Sequence, residues 1–149
     1  MNNPEVRTHE GTACDPRLVE AVLARDLAGS DLSYAYLTRA DLTRANLTRA
    51  NLAYADLARA DLTRANLTYA DLAYANLAGA YLYGANLVGA DLTGSDLAGA
   101  DLAYADLAGA DLAYANLAGA YLTGANLARP DLGGWERGPD GYASRTVRR

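Results

Sequence analysis

Residues 96–127 read DLAGADLAYADLAGADLAYANLAGAYLTGANL. Leucine returns at every fifth position, preceded by Asp, Asn or Tyr. The pattern runs outward in both directions. From Leu27 to Leu132 every fifth residue is Leu without a gap, 22 in succession. Ala stands two places before each Leu, except at Arg25, Ser30, Ser95 and Pro130. Asp or Asn stands immediately before it, except at Tyr36, Tyr81 and Tyr121. A small residue, usually Ala or Thr, follows most of the leucines (Tyr83 and Val88 are exceptions), and then Gly, Tyr or Arg.

Neither regular secondary structure can use a period of five. On an α-helix the leucines would step round every face. On a flat strand the odd spacing would send alternate leucines to opposite sides. A chain that keeps all of them on one side must turn once per repeat. Asp, Asn and Gly at fixed offsets are residues that favour such turns. Four turns of roughly 90° close a square coil, so residues 20 apart should stack on successive rungs about 4.8 Å apart.

On these residues the run 26–134 resembles the pentapeptide-repeat family. The resemblance implies an all-β fold, a right-handed quadrilateral parallel β-helix. It also implies that Leu and the Ala before it point inward, and that the other three positions point outward. With the interior packed by Leu and Ala, no channel or ligand cavity is expected.

A solenoid needs its ends covered. Asp15-Pro16 offers an N-cap followed by a first-turn proline. Leu18, Val19, Val22 and Leu23 form one apolar stripe. The expected organisation is a flexible lead over 1–14, a helical cap over 15–25, the β-helix over 26–134 and a flexible Arg-containing tail over 135–149. Trp135 is placed to cover the last leucines, unless that end stays open for a homodimer formed end to end. In gyrase-protecting relatives the C-terminal end carries a dimer interface built from helices, and this chain has no evident equivalent.

Sorting the outward positions by the 20-residue register reveals columns. Tyr34, Tyr54 and Tyr74 stack on three rungs, and Tyr114 rejoins them after Gly94. Such a ladder either stiffens one face or offers a flat face to a partner protein. Arg39 and Arg59 form one column, Arg44 and Arg64 the next, with Arg49 on a third face. Compensation by Asp41, Asp56 and Asp61 would make a salt-bridge lattice; without it the arginines form an anion- or partner-binding belt.

The other half is acidic. Residues 70–134 hold seven Asp against Arg129 alone. Asp71, Asp91, Asp111 and Asp131 share one column, and Asp96, Asp101 and Asp106 lie on the other three faces. These residues either form a plain soluble surface or imitate a nucleic-acid duplex. Family members linked to quinolone resistance bind the DNA-holding saddle of DNA gyrase as duplex mimics. Thirteen repeats span about 16 Å, where B-DNA carries about nine charges, against a net −6 over 70–134. The chain departs from some gyrase-protecting relatives in having no inserted loops. The tail arginines, Arg137, Arg145, Arg148 and Arg149, could fold back and mask the acidic rungs.

The composition argues against catalysis. One Cys, Cys14, and one His, His9, stand in the N-terminal lead, so neither a Cys-His pair nor a Ser-His-Asp triad with an ordered site is expected. The glycines are periodic and form no phosphate loop. No cofactor or metal is expected. No apolar stretch nears the ~20 residues of a membrane span, and Met1 to Glu10 carry no apolar signal core, so a cytoplasmic protein is expected. The negative surface disfavours direct nucleic-acid binding. The function expected is a non-catalytic protein-binding rod, with a DNA-mimic modulator of gyrase or another type II topoisomerase as the specific form. The alternatives are an adaptor that binds another protein through its Tyr and Arg faces, and a consensus-like array with no specific activity.

Overall fold

A computed structural model describes residues 25–128, 130–131 and 134–145. The chain winds as a coil whose rungs repeat every 20 residues, with parallel bridges from Asp26↔Asn46 up to Asp111↔Asp131. Each repeat turns once, so four turns make one rung. We number the four faces by their first leucine: face 1 from Leu27, face 2 from Leu32, face 3 from Leu37 and face 4 from Leu42. Leu and Ala point inward as expected: Leu47 to Leu102 are fully buried, as are Ala50 to Ala60.

The backbone explains the five-residue unit, because each of its N–H groups has one destination. In the repeat around Leu67, the Leu N–H donates to Asn86 O on the next rung (2.7 Å), and the Tyr69 N–H to Val88 O (3.0 Å). The Asn66 N–H donates to Ala45 O on the rung below (2.9 Å), and the Ala70 N–H closes the turn onto Leu67 O (3.0 Å). The fifth donor, the Thr68 N–H, meets no backbone carbonyl and is taken by Asn66 Oδ1 (3.1 Å). Asp71 does the same for Ala73 (3.0 Å) and Asp106 for Ala108 (3.1 Å). Asp or Asn precedes Leu because a short side-chain oxygen must reach two residues forward. Tyr36, Tyr81 and Tyr121 cannot supply that acceptor.

The turn's third residue is left-handed, as in type II turns. Glycine adopts it without a Cβ penalty, yet Tyr and Arg fill this position about as often, with φ from 56° at Arg59 to 60° at Tyr54. Each such residue costs on the order of 1 kcal/mol. The offset comes from the next rung, over which the side chain lies. Tyr69, Tyr74 and Tyr104 rest against Gly89, Gly94 and Gly124, where an added Cβ would sit 2.5–2.6 Å from the ring. Glycine at these three corners makes room for the aromatic ring below.

The two ends stand differently against the sequence expectation. The cap expected over 15–25 lies outside the described residues except for Arg25, which is left-handed (φ 57°). Arg25 reaches up one rung: its Nη2 lies 3.0 Å from Asp41 Oδ2, and it also donates to the Thr43 carbonyl. At the other end, in place of a flexible tail from 135, strands β1 (Trp135–Arg137) and β2 (Ala143–Arg145) form an antiparallel hairpin. This hairpin turns back onto face 4: the Leu122 N–H donates to Gly141 O (2.6 Å) and the Ala143 N–H to Ala120 O (2.8 Å). Trp135 is 8% exposed, joins the core and donates its Nε1–H to Ala115 O (3.0 Å). Arg137 donates to the Ala125 carbonyl (3.3 Å), and the Arg145 guanidinium sits 4.8 Å from the Trp135 ring centroid. Arg148 and Arg149, the other tail arginines expected to mask the acidic rungs, lie outside the described residues. The sequence carried no repeat to announce the hairpin, which forms because the last coil presents unpaired edge groups.

Ser95, standing where the repeat has Ala, is buried with its hydroxyl unpartnered. Removing an unsatisfied buried hydroxyl recovers about 1 kcal/mol, so Ser95→Ala should raise the thermal midpoint. An equal or lower midpoint would contradict this account. Leu77→Asp should instead unfold the coil around it, since the carboxylate would find neither water nor a partner; an unchanged far-UV spectrum would place Leu77 outside the core. The Asp41 carboxyl is held down to about 2 by the Arg25 guanidinium, and then by the Thr43 hydroxyl and amide. Because the folded value lies below the ordinary ~3.9, the clamp contributes fully above that value and is lost as pH falls through about 2. Asn at 41 keeps the turn cap and removes the charge. The stability gap between wild type and Asp41→Asn, read from urea midpoints, should therefore be constant above the ordinary carboxylate range and close toward its acid limit.

Candidate protein-interaction surfaces

The expected acidic residues separate into three environments. Where an Asn stands one rung above an Asp, its amide bridges them: Asn116 donates to Asp96 (3.0 Å) and Asn126 to Asp106 (2.9 Å). Asp101 sits on face 4 between Tyr81 and Tyr121, its bridge partners below and above. In the face 2 column Asp71↔Asp91↔Asp111↔Asp131, carboxylates follow one another on consecutive rungs with no amide between them. Asp71, Asp91 and Asp111 are exposed, each pinned by the turn bond to Ala73, Thr93 and Ala113 (2.9–3.0 Å). Pinning fixes the direction of each carboxylate before any partner arrives.

The tyrosine ladder forms at the corner that closes face 2. Tyr34 and Tyr54 stack with centroids 5.0 Å apart and planes 4° apart, and Tyr54 and Tyr74 at 5.2 Å and 10°. These spacings match the rung height. Tyr74 then lies over Gly94 and ends the stack. Tyr114 therefore does not join the ladder; it is 88% exposed. The acidic column and the ladder border the same face.

The arginine belt is arranged differently from a salt-bridge lattice. Among the described residues, Arg39, Arg44, Arg59 and Arg64 are exposed and make no ion pair; Arg25–Asp41 is the pair that forms. Asp56 instead accepts from the Thr38 hydroxyl (2.9 Å) and the Asn76 amide (3.0 Å). Arg49 lies over the Tyr69 ring at 6.0 Å.

A second aromatic cluster was not singled out from the sequence. On the C-terminal half of face 4 the structure gathers Tyr81, Tyr83, Tyr104, Tyr121 and Tyr142 around Asp101. Tyr83 and Tyr104 meet edge to face at 5.5 Å, and Tyr121 and Tyr142 meet tilted by 53° at 5.0 Å. Ala103, one rung above Tyr83 in the same column, is an outward position that is nonetheless buried (3% exposed). The register signal existed, since 81, 101 and 121 share a column, but Tyr142 arrives only through the hairpin. No helix among the described residues is long and apolar enough to cross a membrane.

The comparisons agree with this architecture. Residues 26–64, 60–99 and 91–129 match the model for pentapeptide repeats. The pentapeptide repeat protein Rfr23 from the cyanobacterium Cyanothece 51142 is 33% identical, with 78% of this chain and 94% of that chain covered and a TM-score of 0.61. HetL, a pentapeptide repeat protein involved in heterocyst differentiation regulation in the cyanobacterium Nostoc sp. strain PCC 7120, is 40% identical over 80% of this chain and 64% of its own, with a TM-score of 0.56. A pentapeptide repeat protein, alr5209, from Nostoc PCC 7120 is 47% identical over 52% of this chain and 64% of its own, at a TM-score of 0.51. No curated protein matches the chain. Its repeats, its coil and its solved neighbours agree: the chain belongs to the pentapeptide repeat family, whose members form right-handed quadrilateral β-helices.

Proposed function

We propose that this protein is a non-catalytic binding rod whose acidic C-terminal half takes the place of duplex DNA on DNA gyrase or another type II topoisomerase, in the cytoplasm. The observation that carries this reading is the run of Asp71, Asp91 and Asp111, exposed on consecutive rungs of face 2 with no amide interposed. Stacked like charges cost stability, and Asn would cap the turns equally well, as Asn51 does for Ala53 (3.1 Å). Retained carboxylates therefore favour a role outside the fold. Their turn bonds hold them in place, so a cationic partner meets a pre-organised row and little ordering entropy is lost on binding. The charge density is of the right order: net −6 over residues 70–134 against about nine charges for B-DNA of the same ~16 Å length.

A second reading, an adaptor, rests on the stacked and half-exposed Tyr34, Tyr54 and Tyr74. Flat aromatic surface of this kind suits the core of a protein interface. Under this reading the arginines and tyrosines, and not the carboxylates, determine affinity.

The two readings part in a gyrase supercoiling assay with purified protein across a salt series. The mimic reading expects inhibition that weakens as salt rises, because the contacts are charge–charge. It further expects at least about a tenfold loss, some 1.4 kcal/mol, when Asp71, Asp91 and Asp111 all become Asn. Since Asn preserves the turn caps and removes the stacked like charges, the variant should melt at or above the wild-type temperature. Inhibition untouched by the triple change, or none at high protein excess, would reject the mimic. Loss on changing Tyr34, Tyr54 and Tyr74 to Ser, with the Asn variant still active, would favour the adaptor.

A further inference from the structure

The rung of residues 105–124 has four left-handed corners, and three of them are glycine: Gly109, Gly119 and Gly124 (φ 66–68°). The fourth is Tyr114 (φ 59°). The other left-handed tyrosines among the described residues offset the strain of their corners by packing. Tyr34, Tyr54 and Tyr74 stack on one another, and Tyr69, Tyr74 and Tyr104 lie over a glycine of the rung above. These contacts leave the five rings 50–59% exposed. Tyr114 is 88% exposed and meets no other ring among the described residues. Its backbone is held left-handed with no packing to offset it, at a corner where glycine would adopt the same conformation without a Cβ penalty.

This corner separates face 2 from face 3, and its surroundings are acidic. Asp111 stands exposed in the same repeat, with the exposed Asp91 one rung below it. Around the corner, Asn116 donates to Asp96 (3.0 Å). No arginine or lysine occurs from residue 65 to residue 128. The ring therefore projects from a surface of carboxylates and amides.

We infer that Tyr114 is the anchor of the acidic face: its ring enters an apolar pocket of the topoisomerase, while Asp91 and Asp111 pair with cationic groups on that pocket's rim. The inference rests on the mimic reading and adds a source of selectivity to it. A carboxylate row by itself attracts any surface built to hold duplex DNA, and charge of this kind acts mainly on the rate of encounter. Choice of one partner needs a contact that a phosphate backbone cannot make. A tyrosine desolvated in a fitted pocket is such a contact, and aromatic anchors of this type dominate the affinity of many interfaces. The anchor is also pre-organised. It sits on a turn whose neighbouring carboxylate is already pinned, Asp111 accepting from the Ala113 N–H (2.9 Å), so little ordering entropy is lost on docking.

Tyr114→Gly separates an anchor from a structural residue. The fold gains little from the ring, so the variant should melt at or above the wild-type temperature. Its charge is unchanged, so it should elute with wild type from an anion exchanger. In the gyrase supercoiling assay, at least about tenfold more of it should be needed for the same inhibition. Burial of an apolar ring is not screened by salt, so this factor should hold across the salt series, whereas the loss from changing Asp71, Asp91 and Asp111 to Asn should shrink. Tyr114→Phe keeps the ring and should inhibit like wild type. If wild type inhibits and Tyr114→Gly inhibits equally, the anchor is overturned and the mimic stands. A lower melting temperature for Tyr114→Gly, a factor that vanishes with salt, or a Phe variant as weak as the Gly variant would likewise overturn the anchor alone. Wild type that fails to inhibit would overturn the mimic and the anchor together.

Discussion

One hydrogen bond governs this molecule: the bond from the N–H after each leucine to the Asp or Asn oxygen before it. Four of the five N–H groups in a repeat find backbone carbonyls, two on the next rung, one on the rung below and one across the turn. The fifth cannot, because the chain turns away at that point. Left unpaired beneath a neighbouring rung, such a donor costs about 1–3 kcal/mol. A side-chain oxygen two carbons from the backbone is the local remedy, which makes the repeat read Asp or Asn before Leu. Where Tyr replaces it at 36, 81 and 121, the repeat gives up this bond and gains outward aromatic surface.

The surface is a consequence of the same rule. A side chain needed for the turn is fixed in place, so every rung presents a carboxylate or amide at one height. Stacking at the rung spacing then sorts chemistry by register. Amide above carboxylate gives a bonded pair, as with Asn116 over Asp96. Carboxylate above carboxylate gives a row of like charge, as on face 2. Tyrosine above tyrosine gives parallel rings at 5.0–5.2 Å until a glycine lets the last ring lie flat. A rod with four faces can therefore carry four different surfaces on one core.

Much of this was legible in the order of residues. The coil, its period and the inward Leu and Ala follow from the spacing of five, because no straight element tolerates it. The Asp71–Asp131 column and the Tyr34–Tyr74 ladder follow from counting by 20. Three features did not follow. Spacing left open whether the arginines pair with Asp41, Asp56 and Asp61, but Asp41 is taken by Arg25 and Asp56 by Thr38 and Asn76. Tyr114 shares the ladder's register yet stands alone, since Gly94 breaks the stack. The stretch after Gly134 lacks the repeat, so its hairpin became visible only against the edge it covers.

The sequence by itself determined the period, the core and which outward residues share a column, since each depends on spacing alone and the repeat is unbroken. Only the tertiary structure decided which neighbours in a column bond, stack or stand apart, how left-handed Tyr and Arg corners are accommodated by the rung above, and how the C-terminal edge is closed. Those outcomes depend on contacts between residues about 20 apart and on the path of the chain after the last coil. Side-chain direction at a corner and the pairing of a free edge are properties of assembled rungs, so a list of positions does not contain them.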